Sequence, residues 1–233
     1  MFADTQPKAE PGKQVAQTLT YQDADGKEQS ISYWLYLPKD HKADGKKMPL
    51  MLFLHGAGER GDDLEKVAKH GPPKIVQTKK DFPFIVISPQ CPKGVWWNTA
   101  ENLGKLNKLV ETIIDQQNVD TSRVYCTGLS MGGYGTWSLV AKYPGLFAAA
   151  VPICGGGDPD DAAALAKTPI WAFHGDADSV VPHKRSKEMV DAVNAAKGDV
   201  QLTSYPGVNH DSWTKTYNNA EVYKWLLSHT KKN

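Results

Sequence analysis

The chain predicts an α/β protein built on a mostly parallel, eight-stranded sheet with helices on both faces and no large lid. Three observations carry that expectation. Eight short apolar or alternating runs are spaced along 233 residues, helical patterns lie between most of them, and no linker, repeat or second composition regime divides the sequence.

The elements follow in order. Residues 1–13 are polar and proline-bearing, without the apolar core of a signal peptide, and are expected to form a disordered arm; residues 14–233 are expected to form one domain. Gln14 to Tyr21 and Gln29 to Leu37 read as two strands joined by the turn residues Asp23-Ala24-Asp25-Gly26, an antiparallel hairpin. Pro49 to Leu54 is almost continuously apolar, as a strand covered on both faces should be. Similar runs occur at Phe84 to Ile87, Arg123 to Thr127, Ala148 to Ile153, Pro169 to Phe173 and Val200 to Tyr205. The clearest helix places Leu103, Leu106, Val110, Ile113, Ile114 and Gln117 on one stripe, with Glu101, Lys105, Lys108 and Asp115 facing outward. Further helices are predicted over 133–141, 184–196 and 220–228. The connection from Val151 to Thr168 is too short for a lid domain.

Bulk properties narrow the partners. Lys plus Arg total 27 and Asp plus Glu 26, a formal net charge of +1, so neither nucleic acid nor an anionic membrane surface is an expected partner. No apolar stretch approaches the roughly 20 residues of a membrane span. Cys91, Cys126 and Cys154 make an odd count without metal-ligand spacing; they are read as buried core thiols, although one pair could form a disulfide in an oxidising compartment. No metal and no cofactor are expected. A soluble chain, exported to the periplasm or medium rather than cytoplasmic, and monomeric or weakly self-associating, completes this reading.

The chemistry is signalled by Gly128-Leu129-Ser130-Met131-Gly132, a GxSxG pentapeptide between a predicted strand and a predicted helix. That setting is a nucleophile elbow, in which flanking glycines permit a strained corner and the serine Oγ is exposed above a helix N-terminus. A serine hydroxyl needs an imidazole to take its proton, and the imidazole needs a carboxylate to hold its tautomer. Functional groups of parallel sheets gather at the carboxyl ends of the strands. After Phe173 comes His174-Gly175-Asp176-Ala177-Asp178, and after Tyr205 comes Pro206-Gly207-Val208-Asn209-His210. His210 is chosen as the base, since His41 and His229 sit in polar stretches, His70 and His183 in surface segments, and His55 and His174 beside glycines where they bond neighbouring loops. Asp178 is preferred as the acid over Asp176, which suits turn hydrogen bonding. The Met131 amide and the Ala57 amide, with Gly58 as the alternative to Ala57, are the expected oxyanion donors. Glu59 and Arg60 are expected to order that loop through an ion pair.

These stretches, together with Leu54-His55-Gly56-Ala57-Gly58-Glu59-Arg60-Gly61, Ser88-Pro89-Gln90-Cys91-Pro92 and Val119 to Tyr125, resemble the lidless α/β-hydrolase serine esterases over nearly the whole folded chain. The nearest groups are phospholipase/carboxylesterase and dienelactone-hydrolase-like enzymes, feruloyl and acetyl-xylan esterases, and polyhydroxybutyrate-depolymerase-like proteins. The resemblance implies an α/β-hydrolase fold, a Ser130, Asp178, His210 triad and hydrolysis of small or polymer-attached esters. Gln90, Trp97 (rather than Trp96) and Trp213 are expected to line the substrate cleft, where an aromatic face and an amide would suit a sugar ring or aromatic acyl group. A serine peptidase of prolyl-oligopeptidase type would use the same constellation, and a binding protein on a hydrolase scaffold is the non-enzymatic alternative.

Overall fold

A computed structural model describes residues 8–231. Its eight-stranded sheet has the order β1-β2-β4-β3-β5-β6-β7-β8. The strands are β1 (Gln14–Gln22), β2 (Glu28–Tyr36), β3 (Met48–Leu54), β4 (Ile85–Pro89), β5 (Val119–Leu129), β6 (Ala149–Ile153), β7 (Ile170–Gly175) and β8 (Val200–Tyr205). The hairpin β1-β2 is antiparallel, with Gln14 opposite Tyr36 and Gln22 opposite Glu28. Its turn is tightened by the Asp23 carboxylate, which accepts the amides of Asp25 and Lys27, and by Gly26 at φ +75°. β2 is antiparallel to β4, and the remaining pairs are parallel.

Residues 1–7 of the expected arm lie outside the described residues. Its later part meets the sheet, because Pro11 bridges to Leu37 and the Gly12 amide donates to the Leu37 carbonyl at 2.8 Å.

The helices are α1 (Gly71–Thr78), α2 (Ala100–Gln116), α3 (Met131–Lys142), α4 (Ala162–Leu165), α5 (Lys184–Ala195), α6 (Ser212–Tyr217) and α7 (Ala220–Ser228). Helices α2, α3, α5 and α7 occupy the expected segments within a residue or two. Lys105 departs from its outward assignment: its side chain lies largely covered and pairs with Glu101 at 2.9 Å. Helices α1 and α6 were not expected. Helix α1 opens with Pro72-Pro73, which break a helix interior but fit its first turn, where the missing N–H groups have no acceptor anyway. Strand β5 begins earlier than its apolar run because Val119 already pairs with Met48, across an irregularity between Met48 and Leu50.

β3 shows why the central runs are apolar throughout. Leu50, Leu52 and Leu54 face one core with Leu106, Val110, Trp137 and Val193, whereas Met51 and Phe53 face a second core with Val76, Tyr125, Tyr217 and Leu226. A strand alternates faces at every residue, so burial on both sides removes the polar half of the pattern. The connection from β6 to β7 holds only a 3-10 turn at Pro159–Asp161 and the single-turn α4.

The chain passes from β3 to β4 on one side of β3 and then crosses to β5 on the other, so the order reverses at the β3/β5 junction. A crevice opens outside the strand ends where neighbouring loops diverge in this way.

Phe53 is fully buried and meets the edge of Tyr217 with ring centroids 5.8 Å apart. Phe53→Ala should cost roughly 3–5 kcal/mol of unfolding free energy by urea titration, the range for emptying a large core site; a loss below about 1 kcal/mol would contradict this packing.

Candidate active site

Ser130 is the single residue between β5 and α3, at φ 53° and ψ −116°. A serine in this region is strained by about 1–3 kcal/mol and persists only when its surroundings enforce it. They do so by close packing. A Cβ on Gly132 would fall onto the Leu54 carbonyl oxygen, and one on Gly128 onto the carbonyl oxygen of Gly132. The glycines therefore let α3 press against the ends of β3 and β5. The Ser130 amide donates to the Ile153 carbonyl at 2.9 Å, tying the corner to β6.

His210 Nε2 lies 2.9 Å from Ser130 Oγ, and His210 Nδ1 lies 2.7 Å from Asp178 Oδ2. The other Asp178 oxygen accepts the amides of Val180 and Val181, each at 2.9 Å. Burial opposes ionisation of this carboxyl, but the His210 hydrogen bond and the two amides outweigh it and hold the Asp178 pKa below the usual carboxylate value. An ionised Asp178 only accepts, so His210 carries its proton on Nδ1 and leaves Nε2 as the acceptor for the serine hydroxyl.

The loops after β7 and β8 are stitched together independently of that contact. Asp176 accepts the Gly207 amide at 2.7 Å, while Asn209 Oδ1 accepts the amides of His210 and Ser179 and lies 3.0 Å from Ser179 Oγ. Asp176 thus serves the turn. Asn209 is a positioning group that sequence reasoning missed, because a polar loop residue beside a histidine carries no spacing signal. His174 sits between Ser186 Oγ at 2.7 Å and the Val181 carbonyl at 2.9 Å, with burial pushing its pKa down.

The loop after β3 lies against the serine: a Cβ on Gly56 would come 3.7 Å from Ser130 Cβ. Residues Ala57–Glu59 form one 3-10 turn capped by Gly56, so the Ala57 and Gly58 amides belong to a first turn that offers them no acceptor. Met131 opens α3, and its amide is free of intrahelical bonding for the same reason.

Gln90 and Trp97 are not rim residues. Trp97 is fully buried, and its indole N–H donates to the His55 carbonyl at 3.0 Å. It fits because Gly135 on α3 has no side chain; a Cβ there would stand 2.6 Å from the Trp97 Cβ. Gln90 is buried and donates to the carbonyls of Glu59 and Asp63 at 2.9 and 2.7 Å. Both brace the Ala57 loop from behind. Trp96 is instead the exposed indole, at 45%, with the Arg60 guanidinium 5.8 Å from its ring. The expected Glu59 to Arg60 ion pair does not form, since Arg60 donates to the carbonyls of Ala57 and Val95. Trp213 is half-buried beside the site, its ring meeting His210 at 5.2 Å and His70 at 5.6 Å.

All three cysteines are free and buried. Cys154 was overlooked as a neighbour of the site: its sulfur, an Asp178 oxygen and a His210 nitrogen lie within 4.8 Å of one another. Burial pushes the Cys154 thiol up to about 12, and the other two groups are bonded to each other. The set favours proton transfer over metal ligation, which requires a thiolate.

His55 accepts the Cys91 amide on Nε2 at 2.9 Å and donates from Nδ1 to the Gly56 carbonyl at 2.6 Å. Burial pushes its pKa down to about 4 from an ordinary 6.5, against the Gly56 bond and with help from Arg60. The unfolded chain therefore takes up this proton first, and stability is lost as pH falls from about 6.5 to about 4, by on the order of 3 kcal/mol. His55→Asn should flatten the acid limb of a Tm-against-pH profile; parallel wild-type and variant profiles would contradict the assignment.

Residues 87–225, a span that includes Ser130, Asp178 and His210, match the Dienelactone hydrolase family. The chain is 26% identical over 137 residues to acetylxylan esterase A of Emericella nidulans, covering 54% of this chain and 42% of that protein. It is 43% identical over 121 residues to poly(3-hydroxyalkanoate) depolymerase C of Paucimonas lemoignei, covering 46% and 28%. The chain thus spans less than half the length of either curated relative. A solved structure described as a thermostable esterase superposes with a TM-score of 0.78 at 37% identity, covering 92% of this chain and 63% of that one. Among the described residues no helix is long and apolar enough to cross a membrane. With more than half of its length matched, and with an eight-stranded sheet that carries the serine on the turn after β5, the chain belongs to the dienelactone hydrolase family of α/β-hydrolases.

Proposed function

We propose that residues 14–233 act as one catalytic domain, a serine carboxylic-ester hydrolase that works through an acyl-enzyme without a cofactor. The observation that carries this reading is the continuous relay from Ser130 Oγ through His210 to Asp178, at 2.9 and 2.7 Å. In the proposed sequence Ser130 Oγ attacks the ester carbonyl while its proton passes to His210 Nε2. Asp178 stabilises the imidazolium that forms. The amides of Met131 and Ala57, or Gly58 in place of Ala57, hold the oxyanion, and His210 returns the proton to the leaving alcohol. Water then repeats the sequence on the acyl-serine.

Support for an ester comes from the relatives, an acetylxylan esterase and a thermostable esterase by name. Acetyl or feruloyl groups on carbohydrate are the proposed substrate class, reached through an open cleft. Trp213, half-buried, stays a candidate wall, and the exposed Trp96 takes the place of Trp97 and Gln90, because both indoles present aromatic surface that a sugar ring can lie against. Trp213 also lines a groove of about 300 Å³ with His70 and Tyr217, which Ser130, Asp178 and His210 do not line.

Ser130→Ala should reduce kcat/KM for p-nitrophenyl acetate by roughly 10⁴-fold or more while leaving Tm unchanged or raised. An unaltered rate would refute the nucleophile. Asp178→Asn should reduce kcat by roughly 10³- to 10⁴-fold through the wrong imidazole tautomer. Matched p-nitrophenyl ester and p-nitroanilide substrates separate ester from amide chemistry, and a preference for the anilide would overturn the esterase reading.

A further inference from the structure

Glu59 is a carboxylate that the relay does not use. It closes the 3-10 turn carrying the Ala57 and Gly58 amides and is only 8% exposed. Among the described residues its side chain has neither a hydrogen bond nor an ion pair: the adjacent Arg60 turns away to two carbonyls, and Gln90 binds the Glu59 main chain. A carboxylate that is largely covered and has no protein partner can take up a donor that arrives from outside. The carboxylate oxygens are not sealed either, since neither is among the fully enclosed polar atoms that lack a partner.

A point one bond out from Gly56, where a Cβ would stand, lies 2.9 Å from Leu129 Cδ1, 3.2 Å from Glu59 Oε2 and 3.7 Å from Ser130 Cβ. Glu59 Oε2 and Ser130 Cβ therefore stand near each other on the same face of Gly56, with the buried Leu129 side chain packed at the same point.

We propose that Glu59 is a specificity-determining residue that accepts a hydrogen bond from a hydroxyl of the substrate, next to the ester held at Ser130. The inference rests on the esterase reading above. A neutral hydroxyl is favoured over an ammonium donor because Arg60 already places a cation on this loop. Trp96 on the next loop supplies the aromatic surface that polyol rings favour. A site built to bond a hydroxyl discriminates strongly against an analogue lacking it, because the acceptor is then left unsatisfied.

The test compares three acetates: a methyl xyloside monoacetate with free neighbouring hydroxyls, its O-methylated counterpart, and acetylcholine as the ammonium-bearing probe. Wild-type protein should favour the free-hydroxyl acetate over the methylated one by about tenfold in kcat/KM, and Glu59→Gln should shrink that ratio to about twofold. Equal losses on both sugars in Glu59→Gln would mark a loop-positioning role and overturn the proposal, as would an unchanged ratio or a Glu59-dependent preference for acetylcholine. The wild-type comparison needs no variant: hydrolysis of p-nitrophenyl acetate without any hydroxyl preference refutes the Glu59 assignment alone. Failure to hydrolyse any of these acetates refutes the esterase reading itself.

Discussion

Everything at this site depends on one close approach, that of the first turn of α3 against the ends of β3 and β5. Gly132 meets the Leu54 carbonyl with no room for a Cβ, and Gly128 meets Gly132 in the same way. That contact forces Ser130 to φ 53°, and the strain is sustained because three strands surround the corner. It also brings the loop after β3 onto the serine, where a Cβ on Gly56 would stand 3.7 Å from Ser130 Cβ. Backbone packing thus sets the place of Ser130 before His210 or Asp178 is considered.

Electrostatics then gives the relay its direction. Asp178 is buried yet remains the acceptor, because the His210 ring and two main-chain amides replace the water it has lost. The proton on His210 is assigned by that carboxylate, and Nε2 is left facing the serine. His55 and His174 show the contrasting case. His55 faces main-chain groups, and His174 faces Ser186, the Val181 carbonyl and, at 3.4 Å, the Asp178 carboxylate; burial lowers both pKa values, and both rings act as struts in loops beside Ser130. Of the three histidines only His210 reaches Ser130, and that contact separates it from the two braces.

Much of this was legible from the residues. Strands betray themselves by apolar continuity when both faces are covered, as in β3, and the chain order Ser130, Asp178, His210 follows from reading each strand exit. The unread parts have physical reasons. Trp96 and Trp97 are adjacent on a loop without periodicity, so nothing in their spacing tells which indole faces water; the answer lies in Gly135, 38 positions further on, whose missing side chain makes the hole that Trp97 fills. Gln90 was assigned to the cleft from its place after β4, but an amide there also reaches the Glu59 and Asp63 carbonyls, and those need donors. Helix α1 hid behind its prolines and α6 was too short to show a stripe. Glu59 looked like half of an ion pair because its neighbour is an arginine, and only three-dimensional packing shows the two side chains parting.

The central claim is that Ser130 is a nucleophile activated by His210. Intact-protein mass spectrometry after treatment with a fluorophosphonate, followed by peptide mapping, tests it most directly. The account predicts a single adduct, located on the peptide that contains Ser130. An unmodified protein, or an adduct placed on any other residue, would contradict it.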